Sequence, residues 1–276
     1  MAKATYTTGD DGLPVEKVGD WAISKLKILT DYIQASGAAR RGYLRSGAAY
    51  IDVFSGPGRS LLRSTGRYID GIPVAAFKKA QASLAPFTSV QVSDDKAALL
   101  AAAEKRLRLL QAPVEATPGP ASSAIERIVS KLNPHGLHVA FLDPHNLGNL
   151  SFTLFESLAR LKHIDIIAHV SVSDMQRNTD LYTSEDAVQF NKFAPGWRDA
   201  VTTKMNKRSV REAILRHWSN KVSSIGLPPA KHCELITGHG NQRLYWLMFL
   251  SHHPFAHELW GKISSIAKAP TFSFDG

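Results

Sequence analysis

The sequence predicts an α/β fold in which helices cover an open, mostly parallel sheet. Two apolar runs, residues 50–54 and 138–142, have the character of buried strands, and each leads into a polar turn. The first turn is Gly-Pro-Gly at 56–58, and the second begins at Asp143. Segments with helical periodicity separate the strands, which is typical of a parallel sheet. Because ligands bind outside the carboxyl ends of strands in such sheets, we expect the two turns to share one site.

Length and composition fit a single domain. The chain has 276 residues, of which 44% are apolar and 21% charged, so it can bury the core of one α/β domain with an insertion. We expect this domain to span residues 1–276, with a helical insertion at 178–228 and a loose arm at 1–19 that could fold over a site but by default frays. The 33 Lys and Arg against 24 Asp and Glu give a net charge of +9, which favours DNA or RNA as a partner.

Cysteine usage and hydropathy predict a protein of a reducing compartment. Cys233 is the single cysteine, so one chain cannot build a disulfide framework or a cysteine-based zinc site. His252, His253 and His257 are close in sequence, but Pro254 interrupts their spacing and we expect no metal site. No run approaches the roughly 20 apolar residues of a membrane span, and the N-terminus does not resemble a leader. We therefore expect a cytoplasmic protein that does not act in a membrane.

The turn at 56–58 has the residue types of a nucleotide site. Glycine lacks a Cβ, so a ligand can approach the backbone closely at Gly56 and Gly58. A helix after the turn would direct its free N–H groups and its positive dipole end at the ligand. Asp52 adds a carboxylate within the strand, and a buried carboxylate needs a compensating partner. A glycine pair after a strand also occurs in ordinary loops, so this turn alone does not decide the function.

Together the two turns resemble motifs of class I S-adenosylmethionine-dependent methyltransferases, particularly those that methylate an amino nitrogen of adenine. Residues 52–58, Asp-Val-Phe-Ser-Gly-Pro-Gly, resemble the D-x-F-x-G-x-G cofactor loop, and Asp143-Pro144 resembles the start of the D-P-P-Y catalytic turn. The chain is still more similar to the three-Cys-motif partner family, bacterial proteins with a methyltransferase-like domain. That resemblance covers most of the chain, through residues 21–29, 70–75, 143–144 and 245–260.

The resemblance implies a Rossmann-like class I methyltransferase fold with a seven-stranded, mostly parallel sheet. Residues 232–237 and 243–250 fit a C-terminal antiparallel hairpin that completes such a sheet, with its turn at 238–241. The predicted insertion at 178–228 interleaves aromatic and basic side chains. This pattern suits either a target-recognition lobe or a helical cap that packs on the sheet.

The resemblance also implies S-adenosyl-L-methionine as the cofactor, bound at the carboxyl end of the first strand. It would lie over Gly56 and Gly58 with Phe54 beside it, as in the resembled cofactor loop. Asp52 would lie below the methionine part of the cofactor.

Two further strands are expected to reach the nucleoside part of the cofactor. Residues 88–92 predict a strand that leads to Asp94, whose carboxylate is placed to bind the ribose hydroxyls. Asp95 is the alternative ribose ligand, and either acid could instead cap the next helix. A third strand at 114–117 brings Thr117 toward the adenine ring, where the resembled enzymes often carry an acid.

Asp143, Pro144 and His145 are the predicted catalytic residues. The lone pair of an exocyclic amine is delocalised into the base, so methyl transfer needs groups that accept N–H hydrogen bonds as the nitrogen becomes nucleophilic. The Asp143 carboxylate and the Pro144 carbonyl oxygen can accept those bonds. His145 can stack on a base, and Asn146, assigned to the substrate, stands where the resembled enzymes have an aromatic residue. The alternative is an ordinary turn with Asn146 in a left-handed conformation.

Basic side chains near these turns are candidates for binding a phosphate backbone. Arg59, Arg63 and Arg67 are four residues apart, which would place them on one face of a helix or loop. A fifth strand is predicted at residues 164–172. Arg177 and Asn178 follow it at the same edge of the sheet, and they too are assigned to the substrate. A solvated arginine face that makes surface ion pairs is the alternative interpretation.

The sequence thus predicts an enzyme, an S-adenosylmethionine-dependent methyltransferase that modifies an amino nitrogen of a nucleic-acid base. The alternative is a non-catalytic methyltransferase-like protein that acts with a protein partner of three-Cys-motif type, either a radical-S-adenosylmethionine-type or a phage-related protein. Asn146 in place of the aromatic residue and Thr117 in place of the acid favour this alternative. Fold alone does not separate the two functions.

Overall fold

The computed structural model describes residues 5–237 and 243–264. Its strands, numbered in chain order, are β1 (Thr5–Thr8), β2 (Pro14–Val18), β3 (Ala49–Asp52), β4 (Arg59–Leu62), β5 (Tyr68–Asp70), β6 (Ser89–Val92), β7 (Val114–Ala116), β8 (Leu137–Leu142), β9 (His163–Val170), β10 (Glu234–Thr237) and β11 (Arg243–Ser251). Its helices are α1 (Trp21–Ala35), α2 (Gly37–Gly42), α3 (Ile72–Ala82), α4 (Ala97–Leu109), α5 (Ala121–Val129), α6 (Phe152–Leu158), α7 (Val172–Thr183), α8 (Gln189–Phe193), α9 (Trp197–Ala200), α10 (Lys207–Ser224) and α11 (Pro254–Ser264), with a 3₁₀ turn at Leu147–Asn149.

The main sheet of the described chain has seven strands in the order β10-β11-β9-β8-β3-β6-β7. β11 runs antiparallel to both of its neighbours, and every other adjacent pair is parallel. The predicted fold class, a Rossmann-like methyltransferase fold with a mostly parallel sheet and a closing hairpin, is therefore confirmed. β3 lies between β8 and β6 in the middle of the sheet, as predicted for the strand before the glycine turn. The hairpin turn predicted at 238–241 lies outside the described residues.

Helices pack on both sides of the main sheet because its strands are apolar on both faces. Along β3, Tyr50 belongs to the core on one side and Ile51 to the core on the other, and Phe141 and Leu142 divide in the same way along β8. α1, α3, α4 and α11 cover the side of Tyr50, and α5, α6, α7 and α10 cover the side of Ile51. The polar ends of the central strands are thereby left as the open edge of the fold.

The N-terminal segment is ordered from residue 5, so the fraying expected for it by default is wrong. From residue 5 it forms the antiparallel hairpin β1–β2, and β2 continues into a parallel pairing with β4. With β5 these strands make a second, four-stranded sheet in the order β1-β2-β4-β5. Val15 and Val18 of β2 are buried, so even this polar stretch contributes apolar surface to the fold.

The segment after the glycine turn also differs from the prediction. The sequence predicts a helix or loop with three arginines on one face, but Arg59 lies in β4, and Arg63 and Arg67 lie between β4 and β5. The next helix, α3, begins only at Ile72. No helix dipole therefore points at a ligand from the residues immediately after this turn.

Residues 178–228 contain the end of α7 together with α8, α9 and α10. Their large aromatic side chains, Phe190, Phe193, Trp197 and Trp218, are all buried, and Phe193 stacks on Trp218 with 5.2 Å between ring centroids. These rings act as a cap on the sheet and are closed to stacking by a nucleic-acid base. No described helix is both long and apolar enough to cross a membrane.

Candidate functional site

A cleft of about 1180 Å³ lies at the carboxyl edge of the main sheet. The turns after β3, β6 and β8 line it, together with the start of α7 and with side chains from β2 and α1. Two predicted site residues, Asp52 and Thr117, do not line the cleft. The predicted site residues that do are Phe54, Gly56, Gly58, Arg59, Arg63, Asp94, Asp143, Pro144, His145, Asn146, Arg177 and Asn178.

The two glycines of the turn at 56–58 have different roles. Both have a left-handed backbone, with φ of +56° at Gly56 and +75° at Gly58, which favours glycine. A Cβ on Gly58 would lie 3.2 Å from the Ala103 Cα atom, so this position is needed for close packing on α4. A Cβ on Gly56 would meet only the Glu16 Oε2 atom, at 4.0 Å. Gly56 is therefore the residue that leaves backbone open toward the cleft.

Asp52 supports the glycine turn from beneath the cleft. Its side chain is fully buried, and its Oδ1 atom accepts a 3.0 Å hydrogen bond from the Phe54 backbone N–H. The Tyr50 hydroxyl lies 3.4 Å from Oδ2. Burial raises the pKa of Asp52 to about 8, and the nearby Asp143 carboxylate acts in the same direction. At neutral pH this carboxyl is mostly protonated, and it shapes the turn without contacting the cleft.

Asp94 is held at the cleft by backbone N–H groups. Its Oδ2 atom accepts a 3.0 Å hydrogen bond from Gly56 and its Oδ1 atom a 2.9 Å bond from Lys96, so the carboxylate ties β6 to the glycine turn. Thr117, at the end of β7, is buried, and its N–H donates to the Val92 carbonyl oxygen at 2.9 Å. In its place, residues 120–122 at the start of α5 line this end of the cleft.

Asp143 lies at the centre of a network that sequence reasoning did not find. Its Oδ2 atom forms an ion pair with Lys25 Nζ, and its Oδ1 atom lies 2.6 Å from His169 Nδ1. Burial opposes ionisation of Asp143, but Lys25 and His169 outweigh it and hold the pKa below its usual range. Burial also lowers the pKa of His169, which favours a neutral imidazole that donates from Nδ1 to the carboxylate.

Lys25 and His169 are held against aromatic rings. The Lys25 Nζ atom lies 4.8 Å from the Trp21 ring centroid and 5.9 Å from that of Tyr245, and the His169 and Tyr245 centroids are 3.8 Å apart. Both residues give a sequence signal in retrospect. Lys25 stands on the buried face of α1 between Ala22 and Leu29, and His169 interrupts the apolar strand β9 near its carboxyl end.

The turn after Asp143 is shaped by Asp174. Asp174 Oδ2 accepts 3.0 Å and 2.8 Å hydrogen bonds from the Leu147 N–H and the Tyr182 hydroxyl, and Asn178 donates to its Oδ1 at 2.8 Å. Asn146 has a φ of −151°, so the left-handed conformation considered for it is wrong. His145 is exposed beside it at the cleft. Asn178 thus lines the cleft but is also committed to holding Asp174.

The predicted basic residues are not equivalent. Arg59 forms ion pairs with Asp10 at 2.5 Å and Asp11 at 3.5 Å and stacks on Tyr68, so it fastens the N-terminal hairpin. In the described chain the Arg63 and Arg177 side chains have no ion-pair partner, and both line the cleft together with Lys192. Among the described residues, Lys17 and Lys96 also line the cleft without an ion pair, so Arg63, Arg177 and Lys192 carry part of its free positive charge.

A search of solved structures found similar folds at low sequence identity. Protein LPL1258 of Legionella pneumophila matches with a TM-score of 0.54 and 10% identity over 88% of this chain and 91% of that one. A Bacillus cereus O-methyltransferase in complex with SAH matches with a TM-score of 0.49 and 13% identity over 83% and 80% of the two chains. A scan against protein-family models found no match. A search of curated proteins found none either.

The first of these similarities is evidence for a shared fold and not for a shared activity. The sheet order, the closing antiparallel hairpin and the cleft at the carboxyl edge nevertheless define the class of protein. The chain has a class I methyltransferase-like fold.

Proposed function

We propose that this chain is an S-adenosylmethionine-dependent methyltransferase that modifies an amino nitrogen of a nucleic-acid base, and that it belongs to the three-Cys-motif partner family of bacterial proteins and acts in the cytoplasm. One observation carries the proposal: the glycine turn after β3 and the Asp143 turn after β8 line the same cleft. A cofactor at the first turn and a nucleophile at the second would be neighbours. Methyl transfer requires this juxtaposition.

The residues around the glycine turn fit a nucleoside cofactor. Gly56 exposes backbone to the cleft, and Phe54 and Asp94 line the wall beside it. The two backbone N–H groups that bind Asp94 fix the orientation of its carboxylate, and the remaining lone pairs can accept hydrogen bonds from ribose hydroxyls. Bound there, S-adenosyl-L-methionine would supply an electrophilic methyl group.

Asp143 would orient the substrate amine. Both of its oxygens have a protein partner, but each oxygen has two lone pairs, so a substrate N–H can share one of them. The Pro144 carbonyl is the second acceptor in this proposal. Because Lys25 keeps the pKa of Asp143 low, the carboxylate acts as a hydrogen-bond acceptor and does not remove the amine proton in advance. His145 is the exposed ring available to stack on the base.

The charge at the cleft supports a polyanionic substrate. Arg63, Arg177 and Lys192 line the cleft without ion-pair partners in the described part of the chain, and the chain carries a net charge of +9. Such phosphate contacts release counterions from the nucleic acid, and the free-energy gain from that release falls as the salt concentration rises. Binding to DNA or RNA should therefore fall sharply between low and moderate salt.

Label transfer from radiolabelled S-adenosylmethionine to total bacterial DNA or RNA tests the proposal. Wild type is compared with Asp143→Asn, which keeps the shape of the side chain and removes its charge. We expect incorporation by wild type and a loss of about 100-fold or more in the variant, the usual scale for a positioned electrostatic group. Asp186→Asn, at an exposed acid outside the cleft lining, serves as the matched control and should keep full activity. Equal incorporation by wild type and Asp143→Asn would remove Asp143 from the mechanism.

A second function is favoured by one specific observation, the occupation of both Asp143 oxygens by Lys25 and His169. An acid whose two oxygens already bind side chains of the same chain suits a non-catalytic methyltransferase-like protein that acts with a three-Cys-motif, radical-S-adenosylmethionine-type or phage-related partner. Cofactor binding without label in any nucleic-acid pool would favour this function over the enzyme.

A further inference from the structure

The N-terminal hairpin β1–β2 is fixed to the glycine turn by Arg106 of α4. The guanidinium donates two 2.9 Å hydrogen bonds to the Asp11 carboxylate in the hairpin and a 2.8 Å bond to the Pro14 carbonyl oxygen. The same group donates a 2.5 Å bond to the Pro57 carbonyl oxygen, between the two glycines. Arg106 is itself buried. The hairpin is therefore joined to the candidate cofactor site at a defined place.

The hairpin brings one carboxylate, Glu16, into the cleft. Glu16 lies opposite Tyr6 in β1 and opposite Ser60 in β4, and its Oε2 atom is 4.0 Å from the position that a Cβ would take on Gly56. Glu16 lines the cleft. It also interacts electrostatically with both Asp94 and Asp143. Its carboxylate therefore lies within electrostatic range of Asp94, at the candidate nucleoside end, and of Asp143, at the candidate reactive end.

Glu16 differs from the other acids around the glycine turn in having no partner. Asp52 is bound by Phe54 N–H, Asp94 by two backbone N–H groups, and Asp143 by Lys25 and His169. The Glu16 side chain makes no hydrogen bond or ion pair within the described residues. Burial raises its pKa, and Asp143 and Asp94 add to the rise against the opposing effects of Lys25 and His145. A cation bound beside Glu16 would relieve this unfavourable placement.

We propose that Glu16 is a cofactor-binding residue that holds the ammonium group of the methionine part of S-adenosylmethionine. This inference rests on the proposed function and adds to it a residue from outside the main sheet. The ammonium is the fixed positive charge that distinguishes the amino-acid part from the nucleoside part. Gly56 is the point where backbone is open to the cleft. Glu16 is the acid nearest to Gly56 that is free to receive it.

Calorimetric titration of the full chain with three probes tests the proposal. S-adenosylmethionine and S-adenosylhomocysteine both carry the ammonium, whereas 5′-methylthioadenosine lacks the whole amino-acid part. We expect Glu16→Gln to weaken binding of the first two about tenfold or more and to leave 5′-methylthioadenosine within twofold of wild type. Glu16→Asp keeps the charge and should retain more affinity than Glu16→Gln. Glu126→Gln, at an exposed acid of α5 outside the cleft lining, is the matched control and should bind like wild type.

The outcomes separate this inference from the proposed function. Equal affinity of wild type and Glu16→Gln for S-adenosylmethionine would overturn the role of Glu16 and leave the proposed function intact. A tenfold loss for 5′-methylthioadenosine as well would show that Glu16 shapes the cleft generally, and it would also overturn the assigned contact. A wild-type protein that binds none of the three probes would overturn the proposed function, and the role of Glu16 with it.

Discussion

Replacing Lys25 by methionine tests the ion pair that holds Asp143. The Lys25 side chain is 7% exposed and that of Asp143 18%, so the pair is largely withdrawn from water. Removal of one partner from a buried pair costs about 3–5 kcal/mol, because the remaining charge is left uncompensated. Asp143 keeps its hydrogen bond to His169 and some solvent contact, so we expect a loss of about 3 kcal/mol in the free energy of unfolding. At about 2–4 °C per kcal/mol for a domain of this size, the midpoint of thermal unfolding should fall by about 6–12 °C.

Urea unfolding at pH 7 measures the loss, and Lys27→Met on the same helix is the matched control. The Lys27 side chain is 68% exposed and pairs with Asp31, so its removal should cost about 0.5 kcal/mol or less. Because the folded pKa of Asp143 is lowered, its contribution is present at neutral pH and is lost as the pH falls through that pKa. Wild type and Lys25→Met should therefore converge in acid. A Lys25→Met variant as stable as Lys27→Met at pH 7 would refute the ion pair.

Two further changes give distinct expected results. Asp52→Asn should gain stability relative to wild type as the pH rises from about 4 to 8. Over this range the unfolded wild-type chain loses the Asp52 proton, whereas the folded chain, in which burial raises the pKa of Asp52 to about 8, keeps it, so the free energy of unfolding of wild type falls. Urea unfolding at a series of pH values measures the difference, and parallel curves would contradict the raised pKa. Arg106→Met should speed hydrogen exchange in β1 and β2 while leaving the centre of the main sheet protected, because the ties to Asp11, Pro14 and Pro57 are lost. Arg108→Met, which removes an exposed pair with Glu104, is its control, and equal exchange in the two variants would show that Arg106 does not hold the hairpin.

The central architecture could be predicted from sequence because its signals are local. Residues 50–54 and 138–142 are apolar enough for buried strands, and the turns at 56–58 and Asp143 are placed by those strands. Parallel strands end at one edge of a sheet, so the meeting of the turns follows from the fold class. The closing hairpin was predictable for the same reason, since its strands are adjacent in sequence.

The contacts that define the cleft could not be predicted in this way, because they join residues far apart in the chain. Lys25 and Asp143 are separated by 118 residues, and Arg106 and Asp11 by 95. The hairpin β1–β2 has no apolar periodicity of its own, and it is ordered by pairing with β4 and by Arg106. Local patterns specify which segments form strands and where those strands end. Which charged side chains then meet depends on how helices and a second sheet pack around that edge, and no short stretch of sequence contains that information.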